Sequence, residues 1–316
     1  TCLVRADSDE QALARIARTR THYGLPPLTR DSRVHAIAGD VAAVRLGLTE
    51  DRYEELARSI DTIVHSAAWV NFSYDYATLA PTNVGGTLQV LRLATHRRLK
   101  VLHHISTAGV VMAHDGAQPV PEDSPLAATE RLQMGYNQSK WVAERLVTQA
   151  RERGVPASVY RLGTIWGHRT SGACNPSDFS LRALASAVEL GASYIDGRLI
   201  YALAVDDAAR LTFDLAMDER ALGRAYHIIP REPLEGRDIR EALASLGHPV
   251  QPLDAPTWLS LLRESPPHTL SPFVPVIEGG ADLPRIEIER RAVDEVLGIF
   301  AKTNPIGPQE LRRYLE

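Results

Sequence analysis

Cysteine, aromatic residues and long apolar runs are all scarce in this chain of 316 residues. The two cysteines, Cys2 and Cys174, stand far apart, which gives no support to a disulfide framework or a cysteine-ligated metal site. No apolar run approaches the ~20 residues that cross a bilayer, and no charged segment followed by an apolar one opens the chain. The sequence therefore predicts a cytoplasmic protein without a membrane partner.

An excess of charge of either sign is also missing. The 35 Lys and Arg residues stand against 39 Asp and Glu, which gives a formal net charge of -4, and the basic residues are scattered along the chain. Nucleic-acid surfaces need a basic patch, so we predict no nucleic-acid partner. The adjacent His103 and His104 face opposite sides of a predicted strand and no HExxH spacing occurs, so we predict no metal site.

Short β-branched runs alternate with helical stretches through the first half of the chain, whose hydrophobic content of 44% is enough for a large core. The runs "TCLV", "RVHAIAGDV", "DTIVHSAA", "KVLHHIST" and "ASVYRLGTI" predict strands, and residues 10–21, 80–95 and 136–153 predict helices between them. Strands separated by helices pair in parallel through right-handed crossovers. The sequence therefore predicts an α/β domain with a parallel sheet.

The alternation changes after Gly167. "HRTSGACNPSD" predicts a loop, "LRALASAVELG" a helix, and "LIYALAVDDAARLTFDLAMD" a strand and an amphipathic helix, before one more strand at "AYHII". From Pro249 we predict small helices with a Pro-rich loop, "ESPPHTLSPFVPVIEGGADLP". We therefore assign residues 1–165 and 198–232 to the sheet domain, and 166–197 and 233–316 to a smaller, mainly helical C-terminal subdomain.

The strongest chemical signal is "MGYNQSKWVAERL". Tyr136 and Lys140 stand four residues apart on a predicted helix, so their side chains share one face. A phenol is a poor proton donor at neutral pH, and an ammonium beside it favours the phenolate and lowers the phenol's pKa. Taken alone, such a pair is more commonly a half-buried tyrosine beside a solvated lysine.

Polar and small residues follow the carboxyl ends of several strands, where open α/β sheets place their ligands. Ser106 and Thr107 end one strand, Asp40 ends another, and "HSAA" ends a third with small residues that let a backbone approach a flat ligand. Asn83 in "PTNVGGT" and the "RLGTIWG" run border the same crevice. The alternative role of the two hydroxyls is to cap the next element.

The order of "HSAA", "NVGGT", "ISTAGVV", "YNQSK" and "YRLGTIWG" resembles the extended short-chain dehydrogenase/reductase superfamily. More narrowly, "CLVRA", "GDV…LGL", "IDTIVHSAAWVN", "VDDAAR" and "AYHII" resemble the terminal thioester reductase domains of nonribosomal peptide and polyketide synthetases, relatives of carboxylic acid reductase. The resemblance covers nearly the whole chain. It implies that the larger domain is a Rossmann-type doubly wound parallel sheet.

In that family a strand, a Gly-rich turn and a helix bind the dinucleotide pyrophosphate, and "CLVRA" matches the strand that follows this unit. The chain has no initiator Met before Thr1, and its other Gly-rich run, "EGGADLP", lies in a predicted loop without a preceding strand. We therefore expect the first strand and Gly-rich turn, about 30 residues of βαβ material, to be missing from this chain.

The resemblance implies NADPH as the cofactor. A strand of this kind ends in Asp or Glu where the ribose 2′-hydroxyl of NAD is bound, whereas Arg accommodates the 2′-phosphate of NADP. Arg5 occupies that position and Arg15 matches a second basic position, although Asp7, Asp9 and Glu10 offer ion pairs instead. The other cofactor-binding residues that the resemblance implies are Asp40, Val41, Ser66, Ala67, Ala68, Asn83, Lys140, Leu162, Thr164 and Ile165.

The resemblance also implies the catalytic residues. Thr107, directly before "AGVV", matches the hydroxyl member of the catalytic triad, and alternation turns Ser106 to the other face of the strand. Tyr136 corresponds to the proton donor, and Lys140 to its modulator and ribose ligand. Leu162 stands where the family's "RPG" run has proline, so the rigidity of that proline is lost.

The implied reaction is reduction by NADPH of an acyl or peptidyl thioester on the phosphopantetheine arm of a carrier protein. It gives an aldehyde and, after a second hydride, an alcohol, and the chain would be the C-terminal domain of a larger synthetase. Two alternatives remain. One is an extended-type NAD(P)-dependent epimerase or dehydratase acting on a nucleotide sugar, which Arg5 disfavours, and the other is a non-catalytic binding module.

Three further features have both a functional and a structural interpretation. Trp69, Trp141 and Trp166 line an acyl pocket or simply pack near the sheet. The Pro-rich stretch of residues 266–284 is a lid, a carrier-docking surface or an ordinary loop. The paired glycines of "NVGGT", Gly85 and Gly86, are predicted to permit close packing of a helix on the sheet.

Overall fold

The computed structural model describes residues 1–29, 32–194, 199–280 and 286–316. Its first half alternates strands with helices, as predicted. The strands are β1 (Cys2–Val4), β2 (Ala36–Ala38), β3 (Thr62–His65), β4 (Val101–Thr107) and β5 (Ala157–Leu162). The helices are α1 (Asp9–His22), α2 (Glu50–Ser59), α3 (Tyr76–Ala80), α4 (Gly86–Thr95) and α5 (Gly135–Glu152).

The second half is richer in short elements. Its strands are β6 (Thr164–Trp166), β7 (Ala192–Ser193), β8 (Leu199–Ile200), β9 (Ala202–Ala204), β10 (Ala225–Ile228), β11 (Leu234–Glu235) and β12 (Gln251–Pro252). Its helices are α6 (Phe179–Leu190), α7 (Val205–Ala216), α8 (Gly236–Ser245), α9 (Ala255–Glu264), α10 (Val274–Gly280), α11 (Ala292–Leu297) and α12 (Pro308–Leu315). In the described ranges no helix is both long and apolar enough to cross a bilayer.

The central sheet has four parallel strands in the order β10-β5-β4-β3. Its register sets Thr107 of β4 opposite Leu162 of β5, so both strands end at the same rim. β1 and β2 form a second parallel pair. Helices connect these parallel strands, which confirms the predicted doubly wound α/β fold.

The two groups of strands share one core although no described strand joins them. Within the described ranges β1 pairs only with β2, and β3 has β4 as its one strand neighbour. Leu3, Ile37 and Ile63 nevertheless pack against one hydrophobic cluster, which also contains Leu102 and Val159 of the central sheet. The expectation that a further strand precedes Thr1 stays a prediction.

Side-chain caps explain where several helices begin. The helix starts of α1, α3, α6 and α9 each follow a residue whose side-chain oxygen accepts a hydrogen bond from a backbone N–H of the first turn. These capping residues are Ser8, Asp75, Asp178 and Asp254. Asp75 fixes the end of the segment that follows β3, and this segment borders the candidate site described below.

The helix predicted for residues 80–95 is divided in two. A π turn, Pro81–Gly85, separates α3 from α4, because Pro81 has no N–H to donate into the preceding turn. A Cβ on Gly86 would lie 3.1 Å from Val41 Cγ2, so α4 packs closely there, against the turn after β2 and not the sheet itself. The prediction of close packing is wrong for Gly85, where a Cβ would meet nothing closer than 3.8 Å.

The Pro-rich stretch contains helix where we predict a loop. The short 3₁₀ segment Ser271–Phe273 runs into α10, so Glu278 of "EGGADLP" is helical, and Ala281–Pro284 lie outside the described residues. Pro272 and Pro275 occupy first-turn positions, where a helix needs no N–H. This placement explains why the prolines do not prevent the helices.

The C-terminal part has its own core. Trp166 lies in a cluster with Leu181, Leu243 and Tyr314, which settles its interpretation as packing. α11 packs on the central sheet instead, since Val293 shares a cluster with sheet residues. The division into domains at residues 166, 198 and 233 stays a prediction.

Candidate active site

Helix α5 presents Tyr136, Lys140 and Glu144 at successive four-residue spacings, so the three side chains share one face. The helix starts against the segment that follows β3. A Cβ on Gly135 would lie 2.4 to 2.5 Å from backbone atoms of residues 74–76, so only glycine permits this approach. The close approach sets Tyr136 beside that segment.

Tyr136 lies in an apolar environment. Its ring meets Phe72 edge-on, with centroids 5.4 Å apart. Burial raises the pKa of Tyr136 to about 12, so the phenol is protonated at neutral pH. In this structure burial therefore outweighs the lowering that we predict from Lys140, and the role of Lys140 toward the phenol stays a prediction.

The ammonium of Lys140 is directed at β4 and away from solvent. Nζ donates a hydrogen bond to the Ile105 carbonyl at 2.7 Å and lies 3.5 Å from His104 Nε2. Burial lowers the pKa of Lys140 to about 8, and the charge of Glu144 acts in the opposite direction. Lys140 is 2% exposed, so the alternative of a solvated lysine is wrong.

A pair of buried histidines lies under Lys140. The ring of His104 is 5.4 Å from that of His65, whose Nε2 lies 3.1 Å from Thr87 Oγ1. Burial lowers the pKa of His65 to about 3 and that of His104 well below its usual value, with the Lys140 charge adding to both effects. His104 Nδ1 is buried and has no hydrogen-bond partner among the described residues. Both rings are therefore neutral, and His104 can accept from Lys140.

The two hydroxyls at the end of β4 face opposite sides, as alternation predicts. Thr107 Oγ1 accepts a hydrogen bond from Gly109 N at 3.0 Å and so caps the 3₁₀ segment Ala108–Ala113. Ser106 Oγ donates to Glu144 Oε2 at 2.8 Å. Thr107 thus performs the capping role given as the alternative, and its own proton remains available to a ligand.

A buried ion pair braces α5 against β5. Arg161 donates to Glu144 Oε1 from Nε at 2.9 Å and from Nη2 at 2.6 Å, and the two side chains are 4% and 2% exposed. Arg161 Nη1 donates to the Glu122 carbonyl at 3.3 Å and lies 3.0 Å from His227 Nε2. The pair fixes the helix turn that follows Lys140.

Asn83 joins the segment after β3 to α5. Its Oδ1 accepts from Trp69 N at 2.7 Å, and its Nδ2 donates to the Trp69 carbonyl at 3.1 Å and to Ser139 Oγ at 2.9 Å. Both amide hydrogens are therefore used within the chain. Ser66 and Ala67, at the end of β3, are exposed. Asn83 can thus shape the predicted cofactor rim, and the exposed small residues can contact a ligand.

Hydrogen bonds from backbone N–H groups shape the two other parts of the rim, the turn after β2 and the segment after β5. Asp40 Oδ1 accepts from Ala42 N at 2.9 Å in the turn after β2. After β5, Thr164 N donates to the Tyr201 carbonyl at 3.0 Å, and Leu162 and Ile165 pack on the core. Val41 follows Asp40 in the turn after β2, and Ala68 follows Ala67 in the segment after β3. Their contacts with a cofactor stay predictions.

Arg5 and Arg15 lie together after β1. Arg15 Nη1 donates to the Arg5 carbonyl at 2.9 Å, and both residues are exposed. Asp9 pairs with Arg52 at 2.6 Å, and no described acidic side chain pairs with Arg5 or Arg15. A guanidinium group without an acidic partner among the described residues suits a phosphate. The phosphate role of Arg5 and Arg15 and the ion-pair alternative both stay predictions.

The described residues show no group of three or more His, Cys, Asp or Glu side chains that could hold a metal ion.

Residues 1–206 match the family described as "Male sterility protein", NAD_binding_4. The chain belongs to this family. Residues 1–206 therefore form an NAD(P)-binding domain of oxidoreductase type.

Curated relatives of this family member include much longer synthetases. The chain is 34% identical over 266 residues to a subunit of the linear gramicidin synthase of Brevibacillus parabrevis, a match that covers 83% of this chain and 5% of the relative. It is 37% identical over 270 residues to glycine betaine reductase ATRR of Emericella nidulans, covering 82% and 21%. The chain thus spans about a fifth or less of the length of these relatives.

Solved structures share the fold. The terminal R domain from the myxalamid PKS-NRPS biosynthetic pathway has a TM-score of 0.93 and 31% identity, covering 99% of this chain and 82% of that one. The UDP-glucuronic acid 4-epimerase from Bacillus cereus, in complex with NAD, has a TM-score of 0.63 and 18% identity over 90% and 82%. The epimerase is similar in fold alone, so the comparisons favour the reductase over the sugar epimerase.

Three residues of the site, His104, Glu144 and Phe72, are not among those that the sequence predicts. His104 and Glu144 contact or influence Lys140, yet the pattern drew attention to the histidines only as metal ligands. Helical spacing was the available signal for Glu144, because it follows Lys140 by four residues as Lys140 follows Tyr136. Phe72 gave no signal, since it lies in a loop. The roles assigned to the site residues stay predictions.

Proposed function

We propose that the chain reduces an acyl or peptidyl thioester, held on the phosphopantetheine arm of a carrier protein, to an aldehyde with NADPH. The main support is that Tyr136 and Lys140 share one face of α5, whose Lys140 donates to Ile105 of β4, the strand that ends at Thr107, in a chain similar over 99% of its length to a terminal R domain. The curated relatives' synthetase names support the carrier protein as partner. A scaffold protein has no physical need for this trio.

The chain's own residues would bind and polarise the thioester. The protonated phenol of Tyr136 donates to the carbonyl oxygen, and Thr107 supplies a second donor. NADPH, when bound, supplies the hydride. These donors would stabilise the charge that develops on the oxygen. The carbon–sulfur bond would then break as the carbonyl re-forms, and the leaving thiolate would take a proton from solvent, which gives thiol and aldehyde. Lys140 would contact the ribose, and its charge would ease proton loss from Tyr136.

Turnover with a carrier-bound thioester tests this proposal. We expect oxidised NADPH and released thiol to appear together, in equal amounts for an aldehyde product and two to one for an alcohol. Absorbance of NADPH, a thiol reagent and mass spectrometry of the product measure the three quantities. The protein should be used at its natural length. Turnover of a nucleotide sugar, with no thiol released from the thioester, would contradict the proposal.

Arg5 provides a test of the cofactor. Arg5→Asp should weaken NADPH binding about 10- to 100-fold, because a charge-assisted contact contributes about 1.5 to 3 kcal/mol. Binding of NADH should change much less, since NADH lacks the 2′-phosphate. Arg18→Asp is the matched control, because Arg18 is an arginine of the adjoining helix α1 and the substitution changes the net charge equally. Equal losses of both cofactors would remove the 2′-phosphate role of Arg5.

A further inference from the structure

Three phenylalanines form a row that starts at the Tyr136 ring. Phe72 meets Tyr136 at 5.4 Å between centroids, Phe179 meets Phe72 at 5.5 Å, and Phe273 meets Phe179 at 5.3 Å, each edge to face. The chain has only five phenylalanines. The row connects the segment after β3 with α6 and with the short helix Ser271–Phe273. It therefore leads from the candidate proton donor into the C-terminal part of the chain.

The row, Phe72, Phe179 and Phe273, lies outside the protein core. The hydrophobic clusters found in the described residues contain none of the three. Each ring keeps part of its surface in solvent. A continuous, partly exposed apolar surface beside polar reactive groups is typical of a ligand-binding cleft. The row therefore presents apolar ring surface that the core clusters do not cover.

Polar contacts hold the far end of the row to α6, the helix that also carries Phe179. Glu189 accepts a hydrogen bond from Thr269 N at 3.0 Å, and Ser186 Oγ lies 3.0 Å from His268 Nδ1. The guanidinium of Arg182 lies 5.6 Å from the centroid of the Phe273 ring. These contacts therefore hold the Phe273 ring against the helix that carries Phe179.

We propose that this row binds an apolar acyl chain of the thioester substrate, with the carbons nearest the carbonyl at Phe72 and later carbons at Phe179 and Phe273. The inference rests on the proposed function, because it takes Tyr136 as the donor to the thioester carbonyl. With the carbonyl at Tyr136, either the acyl chain or the pantetheine arm lies along the rings. The arm carries two amides, which the rings would desolvate without hydrogen-bond partners, so the acyl chain fits this surface better.

Thioesters of N-acetylcysteamine with acetyl, hexanoyl and dodecanoyl chains test the assignment, because they vary the acyl chain and keep the thiol constant. Unreactive S-ethyl, S-hexyl and S-dodecyl thioethers of N-acetylcysteamine measure binding without reduction. In the wild type we expect kcat/KM and thioether affinity to rise with chain length, by up to about fourfold for each methylene that becomes buried.

Alanine substitutions along the row should remove the affinity gained by longer chains, and a substitution farther from Tyr136 should affect only the longer compounds. Phe179→Ala should lower hexyl and dodecyl affinity at least about tenfold and the ethyl affinity less than about threefold. Phe273→Ala should affect the dodecyl compound alone, and Phe179→Leu should retain most of the gain. Phe213→Ala is the matched control, since Phe213 is 64% exposed on α7 and outside the row. Phe273, at the far end, keeps the test open if Phe179→Ala does not fold.

The outcomes separate this inference from the proposed function. Affinity that is independent of chain length in the wild type, or equal losses at all lengths in Phe179→Ala, would overturn the assignment of the row to the acyl chain. Length-dependent thioether binding without reduction of any thioester would support the row as an apolar subsite and contradict the proposed reductase. Reduction at a rate independent of chain length would support the proposed reductase and contradict the assignment of the row to the acyl chain.

Discussion

Tyr136→Phe is expected to lower thioester reduction about 10²- to 10³-fold, the usual effect of removing one oxyanion or proton donor. The substitution removes one hydroxyl and keeps the ring that packs on Phe72. The free energy of unfolding and the NADPH affinity should therefore change little. Single-turnover rates with a carrier-bound thioester, urea unfolding and cofactor titration measure the three quantities.

A pre-formed aldehyde makes this test sharper. Its alkoxide product has to be protonated, whereas a thioester adduct can expel thiolate, so Tyr136→Phe should slow aldehyde reduction at least as strongly. Tyr76→Phe removes a hydroxyl from a nearby exposed tyrosine and is the matched control. Near-normal rates of Tyr136→Phe on both substrates would leave the tyrosine with a packing role and the proton donor to be found elsewhere.

The larger elements of the fold were predictable from the periodicity of their hydrophobic residues and from the turn-forming residues between them. Strand runs and helical stretches in the first half gave the parallel sheet, and alternation placed Ser106 and Thr107 on opposite faces of β4, as their bonds to Glu144 and Gly109 show. The π turn at Pro81 and the helix inside the Pro-rich stretch were not predicted. Both depend on where a proline falls within a turn, and composition does not give that position.

The electrostatics of the site were less predictable than its residues. Helical spacing put Lys140 on the same face as Tyr136, but the direction of its ammonium is set by Ile105 and His104 of a strand distant in sequence. Burial then decides both titrations, raising the pKa of the phenol and lowering that of the amine. Spacing along one helix contains no information on the dielectric around it.

The aromatic row shows the same limit in another form. Phe72, Phe179 and Phe273 come from a loop, a helix start and a short 3₁₀ segment, so no period relates them. The tryptophans attracted attention by size alone. Trp166 lies in the C-terminal core and Trp141 packs on another cluster while donating to the Ala127 carbonyl. The proposed acyl-binding row was therefore found from contacts between segments that are distant in sequence. The aromatic residue types alone did not indicate it.

Glu144→Gln is expected to lower the free energy of unfolding by about 3 to 5 kcal/mol, because it leaves the Arg161 guanidinium buried without a countercharge. The pair is almost fully buried, and Glu144 also accepts from Ser106. Urea unfolding measures the loss. Glu152→Gln, at an exposed position of the same helix, is the matched control and should change stability by less than about 0.5 kcal/mol.

A second readout connects this pair with the site. The charge of Glu144 raises the pKa of Lys140 against the effect of burial, so its removal should move that pKa below about 8. Deprotonation with rising pH removes the ammonium that would contact the ribose. NADPH affinity should therefore fall at a lower pH in Glu144→Gln than in the wild type, whereas Glu152→Gln should keep the wild-type profile.

The double variant Glu144→Leu/Arg161→Met should recover stability, because no charge is left buried alone, and keep the shifted profile. If stability and the pH profile both returned to wild type in the double variant, Glu144 would act on the site through packing and not through its charge on Lys140.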